Sequence, residues 1–163
     1  MAHPAQPSVT SPEGGLAVPA WRLRREMLAH GFTGGFRGLF LRYRDRVHVG
    51  EVEIHPTALG LELELITTQA RARGQGVATG MLRDICIVAD RLAMPLRLTA
   101  VPLAGLGPSL ETLVGWYGKA GFVPIRPKDG GLRMGRRPVL RAMPGRPLPC
   151  PVLPEVRHPE PQP

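Results

Sequence analysis

The stretch RARGQGVATGMLRDI, beginning at Arg71, places two glycines two residues apart, with arginines at 71 and 73 before them and an apolar helical pattern after them. Free amides at the start of a helix carry partial positive charge and point at whatever lies in front of them. Glycines at that point let a bulky phosphate approach the bare backbone. Together with two arginines, this suits a diphosphate held without a metal; the other reading is a plain glycine turn. The loop lacks the Lys-Ser/Thr of a nucleotide P-loop and the chain has no G-x-G-x-x-G, which argues against ATP and NAD sites. A second group of chemically capable residues is acidic. Glu62 and Glu64 alternate with Leu61, Leu63 and Leu65, and Glu51 and Glu53 alternate on the preceding apolar run, so each pair projects to one face of a strand. Such carboxylates form an acidic patch facing an amine, or a solvated face paired with arginines. His48 and His55 are weaker candidates, since a lone strand histidine is usually structural.

The elements that must position these groups can be read from periodicity. WRLRREMLAHG carries Leu23, Met27 and His30 on one face and stops at Gly31, as a short amphipathic helix does. RGLFLRYR, RVHVGEVEIH and GLELELITT read as three strands, with a turn near Asp45 and an end at His55-Pro56. Short links make them an antiparallel meander. After the glycine loop, Val77, Met81, Ile85, Val88 and Leu92 recur at helical spacing, beside a second row of Ala78, Leu82, Cys86 and Ala89. So wide an apolar face marks a well-buried helix, stopped by Pro95. LRLTAV is a fourth strand. PSLETLVGWYGKAG is a second buried helix, with Ser109 as N-cap and Gly121 past its end. FVPI and LRMGR close the sheet as two short strands around KDGG. The expected fold is mixed α/β, a mostly antiparallel sheet with helices on both faces.

A chain of 163 residues is long enough for one domain with a sizeable core. Residues 1–19 and 138–163 are rich in proline and read as disordered, leaving 20–137 as the domain. No apolar run approaches a membrane span, and MAHPAQPSVTSPEGG lacks the pattern of a secretion signal, so a cytoplasmic location is the expectation. Cys86 and Cys150 suggest neither a disulfide framework nor a zinc site. The net charge of +8 comes almost wholly from arginine, and +3 of it lies from Arg136 onward. It fits an anionic partner, nucleic acid included, or a plain bias toward arginine.

RGQGVA reads as R-x-x-G-x-A, with Arg73, Gly76 and Ala78 at the marked positions; an alternative register runs Arg71, Gly74, Gly76. LVGWYGKAGFVPI supplies an aromatic-Tyr-x-K-x-G-F segment through Trp116, Tyr117, Lys119, Gly121 and Phe122. Over roughly residues 36–135 these motifs, and the order of strand, loop and helix, resemble the GNAT N-acetyltransferase superfamily. The family's first strand and opening helix pair find no clear counterpart in residues 1–35.

The resemblance implies acetyl-CoA as co-substrate, no metal, and a primary amine as acceptor, in a monomer or homodimer. The cofactor arm would hydrogen-bond Ile66, Thr67 and Thr68 like an added strand, where the family's sheet splays open. The pyrophosphate would rest on Gly74, Gln75, Gly76, Val77, Ala78 and Thr79, with Arg73 beside it. A backbone amide near Thr67 would polarise the carbonyl. Tyr117 stands where the family keeps the tyrosine that serves the departing thiolate, and Glu62 or Glu64 would supply the base. Many members carry an asparagine at the start of the last helix; GPSLE stands there instead, with Ser109 as substitute or simple cap. A second class of function stays open: a GNAT-like binding module whose basic surface and tail contact nucleic acid or a protein.

Overall fold

The computed structural model describes residues 18–102, 107–128 and 130–140. Most of the segments expected to be disordered, 1–19 and 138–163, lie outside these residues, as does Cys150. Helix α1 (Ala20–Ala29) leads into four strands, β1 (Phe32–Phe36), β2 (Leu39–Arg44), β3 (Val47–Thr57) and β4 (Gly60–Thr68). A short 3-10 turn at Ala70–Ala72 precedes α2 (Val77–Arg91). Strand β5 (Leu96–Ala100), helix α3 (Leu110–Lys119) and strands β6 (Val123–Lys128) and β7 (Gly131–Arg136) complete the domain. The seven strands form one sheet in the order β1-β2-β3-β4-β5-β7-β6. All neighbours are antiparallel except β4 and β5. The mixed, mostly antiparallel sheet is the one expected.

Three details differ from the sequence reading. The first is β1, an added strand that pairs with β2 from Phe32↔Arg42 to Phe36↔Leu39. The run RGLFLRYR does not start as a strand at Arg37: Arg37 has φ 48° and Gly38 φ 79°, so the chain turns there. The second is the end of β3. Pro56 lies inside that strand, paired with Leu61. The β2 pairing has already ended at Glu53, so Pro56 has a neighbour on one side only, where a missing N–H costs nothing. The hairpin turn near Asp45 is as expected, since Asp45 and Arg46 both adopt the left-handed conformation that a two-residue turn needs.

The third is the position of the helices. Across the register, Val52 pairs with Ile66, Ile54 with Leu63 and Leu63 with Leu98, and Leu98 with Met134. Val52, Ile54, Leu63, Leu98 and Met134 are all buried in the one core with Leu23 and Met27 of α1, Met81 and Ile85 of α2 and Tyr117 of α3. Glu26 of α1 reaches Arg91 of α2 at 3.6 Å, and Trp116 of α3 donates to Thr79 of α2 at 3.1 Å. The helices expected on both faces therefore share one face among the described residues. Amphipathic spacing gives each helix an apolar side, but not the side of the sheet on which it lands. Of the two predicted rows, helix α2 buries Val77, Met81, Leu82, Ile85, Cys86, Val88 and Ala89, at roughly 1.5–3 kcal/mol for each large apolar side chain, while Ala78 is half-buried at the cleft.

One charged cluster ties the far end of the sheet to the helices. Arg136 of β7 grips Asp90 of α2 through two bonds of 2.7 and 2.8 Å, while its Nε donates to the carbonyl of Ala120. The amide of Val139 donates to the same Asp90 at 2.7 Å, so the chain stays attached two residues past the expected boundary at 137. Arg136 is only 10% exposed. Asp90→Ala strands that guanidinium, and should cost about 3 kcal/mol, a lowering of the melting temperature by roughly 10 °C. Thermal unfolding followed by circular dichroism checks this; Asp90→Asn, which keeps one acceptor, should lose less. The outermost strand at this same end of the sheet is β6, whose six residues are all exposed and include Pro124 and Pro127. Among the described residues no helix is long and apolar enough to cross a membrane.

Candidate functional site

The glycine loop sits where the sequence reading put it, between the end of β4 and the start of α2. Gly74 has φ 74° and Gly76 φ 73°, a conformation that L side chains adopt only at a cost. A Cβ at either position would meet no protein atom within 4 Å. Glycine is thus required by the path of the backbone, while the space in front is open. Gly76 is the N-cap of α2 and offers no side chain to its amides. The first helical N–H groups have no intrahelical acceptor, so they face that space.

The loop is held in this shape by its neighbours. Gln75 Nε2 donates to the carbonyl of Arg71 at 2.8 Å, and Arg44 Nη1 donates to Gln75 Oε1 at 3.3 Å. Arg71 Nη2 donates to the carbonyl of His48 at 3.2 Å. Gln75 and Arg71 therefore brace the loop against β2 and β3. Arg73 is different: among the described residues its exposed side chain makes no hydrogen bond or ion pair.

In front of the loop lies a cleft of about 400 Å³. Thr68, Arg73, Gly74, Gly76, Ala78 and Thr79 line it, together with Trp116 of α3. It opens where the sheet opens. Strand β4 pairs with β5 only over Leu61–Leu63, although β4 runs on to Thr68 and β5 to Ala100. Among the described residues the β5-facing edge of β4 beyond Leu63 is thus free, and Ile66, Thr67 and Thr68 lie on it. A free edge of this kind accepts an extended partner through main-chain hydrogen bonds. A bulge accompanies the separation: Glu53 faces Leu65, Ile54 faces Leu63, and Glu64 is the extra residue. The alternation of GLELELITT breaks there, leaving Leu65 40% exposed.

Trp116 is a cleft residue that the sequence reading named only as part of the aromatic-Tyr segment. It lines the cleft, and its indole N–H bonds Thr79 on the first turn of α2. Its position next to Tyr117 was the available signal. Tyr117 itself is buried against Trp116, at 4.7 Å between ring centroids, and edge-on to Phe122 at 5.7 Å. It belongs to the core and does not line the cleft. Burial pushes its phenol up to about 12. Burial likewise raises the thiol of Cys86 to about 11, opposed by the nearby Arg136. Ser109 caps α3, accepting from the amide of Thr112 at 3.2 Å and bonding the Thr112 hydroxyl at 2.9 Å.

Of the four carboxylates expected to form a patch, Glu53 and Glu64 come together, beside His55. His55 Nε2 lies 3.2 Å from Glu53 Oε1, and the bulge brings Glu64 to them, with ligand atoms of all three within 4.8 Å. Glu62 does not join this group. Arg133 holds its carboxylate at 2.7 Å, both side chains being mostly covered. The carboxylate of Glu62 is thus occupied by an arginine, whereas Glu64 is exposed and unpaired by any arginine among the described residues. None of the four glutamates lines the cleft at the loop.

No family profile and no curated protein matches this sequence. Solved structures do match. The PaiA N-acetyltransferase from Thermoplasma acidophilum, solved in complex with coenzyme A, is 15% identical with a TM-score of 0.50, over 61% of this chain and 59% of that one. The present chain thus spans less than two thirds of that protein's length. Ard1 from Thermoplasma volcanium is 16% identical with a TM-score of 0.50, over 73% of this chain and 77% of that one. The likeness to these two structures shows that this chain shares the fold of solved N-acetyltransferases.

Proposed function

We propose that this protein moves an acetyl group from acetyl-CoA directly to a primary amine. The observation that carries the reading is the cleft in front of the loop, where two left-handed glycines, bare amides and an unpaired strand edge meet. The amides from Gly74 to Thr79 bind the pyrophosphate, with Arg73 as a free counter-charge. Ile66, Thr67 and Thr68 take the pantetheine arm along the β4 edge. The amide of Thr67 polarises the thioester carbonyl.

Acetyl transfer requires an unprotonated amine and a stabilised thiolate. For the first, Glu64 is the candidate base, through water, because Arg133 occupies the carboxylate of Glu62. For the second, Tyr117 stays protonated at working pH, with its phenol near 12. A free thiol titrates about 3.5 units lower, so complete proton transfer from the phenol to the thiolate is uphill by roughly 5 kcal/mol. Tyr117 therefore acts as a hydrogen-bond donor to the developing thiolate rather than as its proton source. Ser109 caps its helix through the amide of Thr112.

Release of free thiol from acetyl-CoA, followed across a panel of small amines, peptide amines and aminoacyl-tRNA, tests the reading. Acceptor-dependent thiol release is the expected result. Absence of acetyl-CoA binding by calorimetry would overturn it.

A further inference from the structure

Helix α1 carries a second stripe besides the one it buries. Trp21, Arg24, Arg25 and Leu28 recur at i, i+3, i+4 and i+7, the spacing of one helix face, and all four are exposed. Leu23 and Met27, on the opposite side, enter the core. Trp21 is 63% exposed, with the Arg25 guanidinium 5.6 Å from its ring centroid. Arg24 joins this stripe to the rim of the sheet. Its Nε donates to the carbonyl of Gly34 at 3.1 Å, and its stem lies so close on Gly35 that an added Cβ there would meet its Cγ at 3.0 Å. Next in β1 stands Phe36, 80% exposed, with the Arg37 guanidinium 5.4 Å from its ring centroid. Between residues 20 and 37 four arginines, 22, 24, 25 and 37, stand against one carboxylate. That carboxylate, Glu26, is already engaged by Arg25 at 3.3 Å and Arg91 at 3.6 Å. None of these residues lines the cleft at the glycine loop.

We infer that this rim, formed by α1 and β1, binds a single strand of nucleic acid, with bases stacked on Trp21 and Phe36 and phosphates held by the arginines around them. The excess of positive charge calls for a polyanion. The two rings select which one. Unpaired bases offer π-faces to exposed aromatic side chains, whereas the bases of a duplex are already stacked on each other. An arginine beside each ring places a cation within reach of the backbone of the base stacked there. An anionic bilayer is the poorer fit. A helix that lies in a membrane surface gives it a broad apolar face, but α1 commits Leu23 and Met27 to the core and keeps only Trp21 and Leu28 outside.

Fluorescence anisotropy of a labelled oligouridine with the full chain, in the absence of acetyl-CoA, tests this, and its outcome leaves the acetyl-CoA reading untouched. The native protein should bind the single strand more tightly than a duplex of equal length. The double variant Trp21→Ala, Phe36→Ala should weaken binding by roughly thirtyfold, one stacked base lost at each ring. Trp21→Phe keeps a ring and should lose little. Arg22→Gln with Arg25→Gln should reduce the slope of log affinity against log salt by about 1.4. All these side chains are exposed, so the fold should hold, and a melting curve for each variant checks it. Native affinity in the double alanine variant would overturn the inference, because charge elsewhere in the chain would then supply the whole attraction. Equal affinity of the native protein for single strand and duplex would overturn it too, as would binding to phosphatidylserine vesicles with none to the oligonucleotide.

Discussion

Gly76→Asp is expected to abolish acetyl-CoA binding while leaving the domain folded. The position has φ 73°, and an added Cβ meets no protein atom within 4 Å. The cost to the fold is therefore backbone strain alone, about 1–2 kcal/mol, and aspartate is among the residues that bear it best. A carboxylate at the start of α2 also complements the helix dipole, which offsets part of that strain. Binding suffers differently. Like charges about 4 Å apart repel by roughly 4 kcal/mol at a surface dielectric near 20, close to a thousandfold in affinity. Gly76→Asn has the same shape without the charge and should lose much less. Calorimetry with acetyl-CoA, beside a melting curve for each variant, separates the two effects. Native affinity in the aspartate variant would remove the loop from the binding site.

Tyr117→Phe should lower turnover about a hundredfold, the usual effect of deleting one donor to a developing anion. The ring is packed between Trp116 and Phe122, and phenylalanine keeps that packing, so melting temperature and acetyl-CoA affinity should hold. The loss should appear in kcat rather than in binding, because the bond strengthens only as charge grows on sulfur. Full activity in the variant would leave Tyr117 a core residue and nothing more. A fall in melting temperature or in affinity would make its hydroxyl structural.

Much of this arrangement was legible because it is local. The helix from Val77 announces itself through two apolar rows, and their residues within it are buried except Ala78. Ser109 and Gly121 flank α3 as expected, the one accepting from Thr112 and the other at φ 89°. What stayed hidden depends on contacts between distant elements. FTGGF has too little β-branched or alternating character to read as a strand, and becomes β1 only because β2 lies beside it. The bulge at Glu64 is invisible in a run that alternates without fault; it exists because β3 and β4 fall out of step. The separation of Glu62 from the other carboxylates needs Arg133, 71 positions away in the chain. Which of Trp116 and Tyr117 lines the cleft depends on one residue of helix rotation, which apolar spacing alone does not fix.

Pro124 and Pro127 of β6 bear on how the molecule behaves at high concentration. An open sheet edge is a template for another chain's strand. At β6, two of six residues have no N–H to offer, so an incoming strand finds a broken ladder. The remaining outer edge is β1, where Gly34 and Gly35 carry φ of 92° and 96° and the register slips between Gly34 and Phe36. Irregular backbone there likewise spoils the match. Both rims of the sheet thus resist fibril-type growth, and the straight, unpaired length of strand lies inward, between β4 and β5, where another protein's strand has the least access.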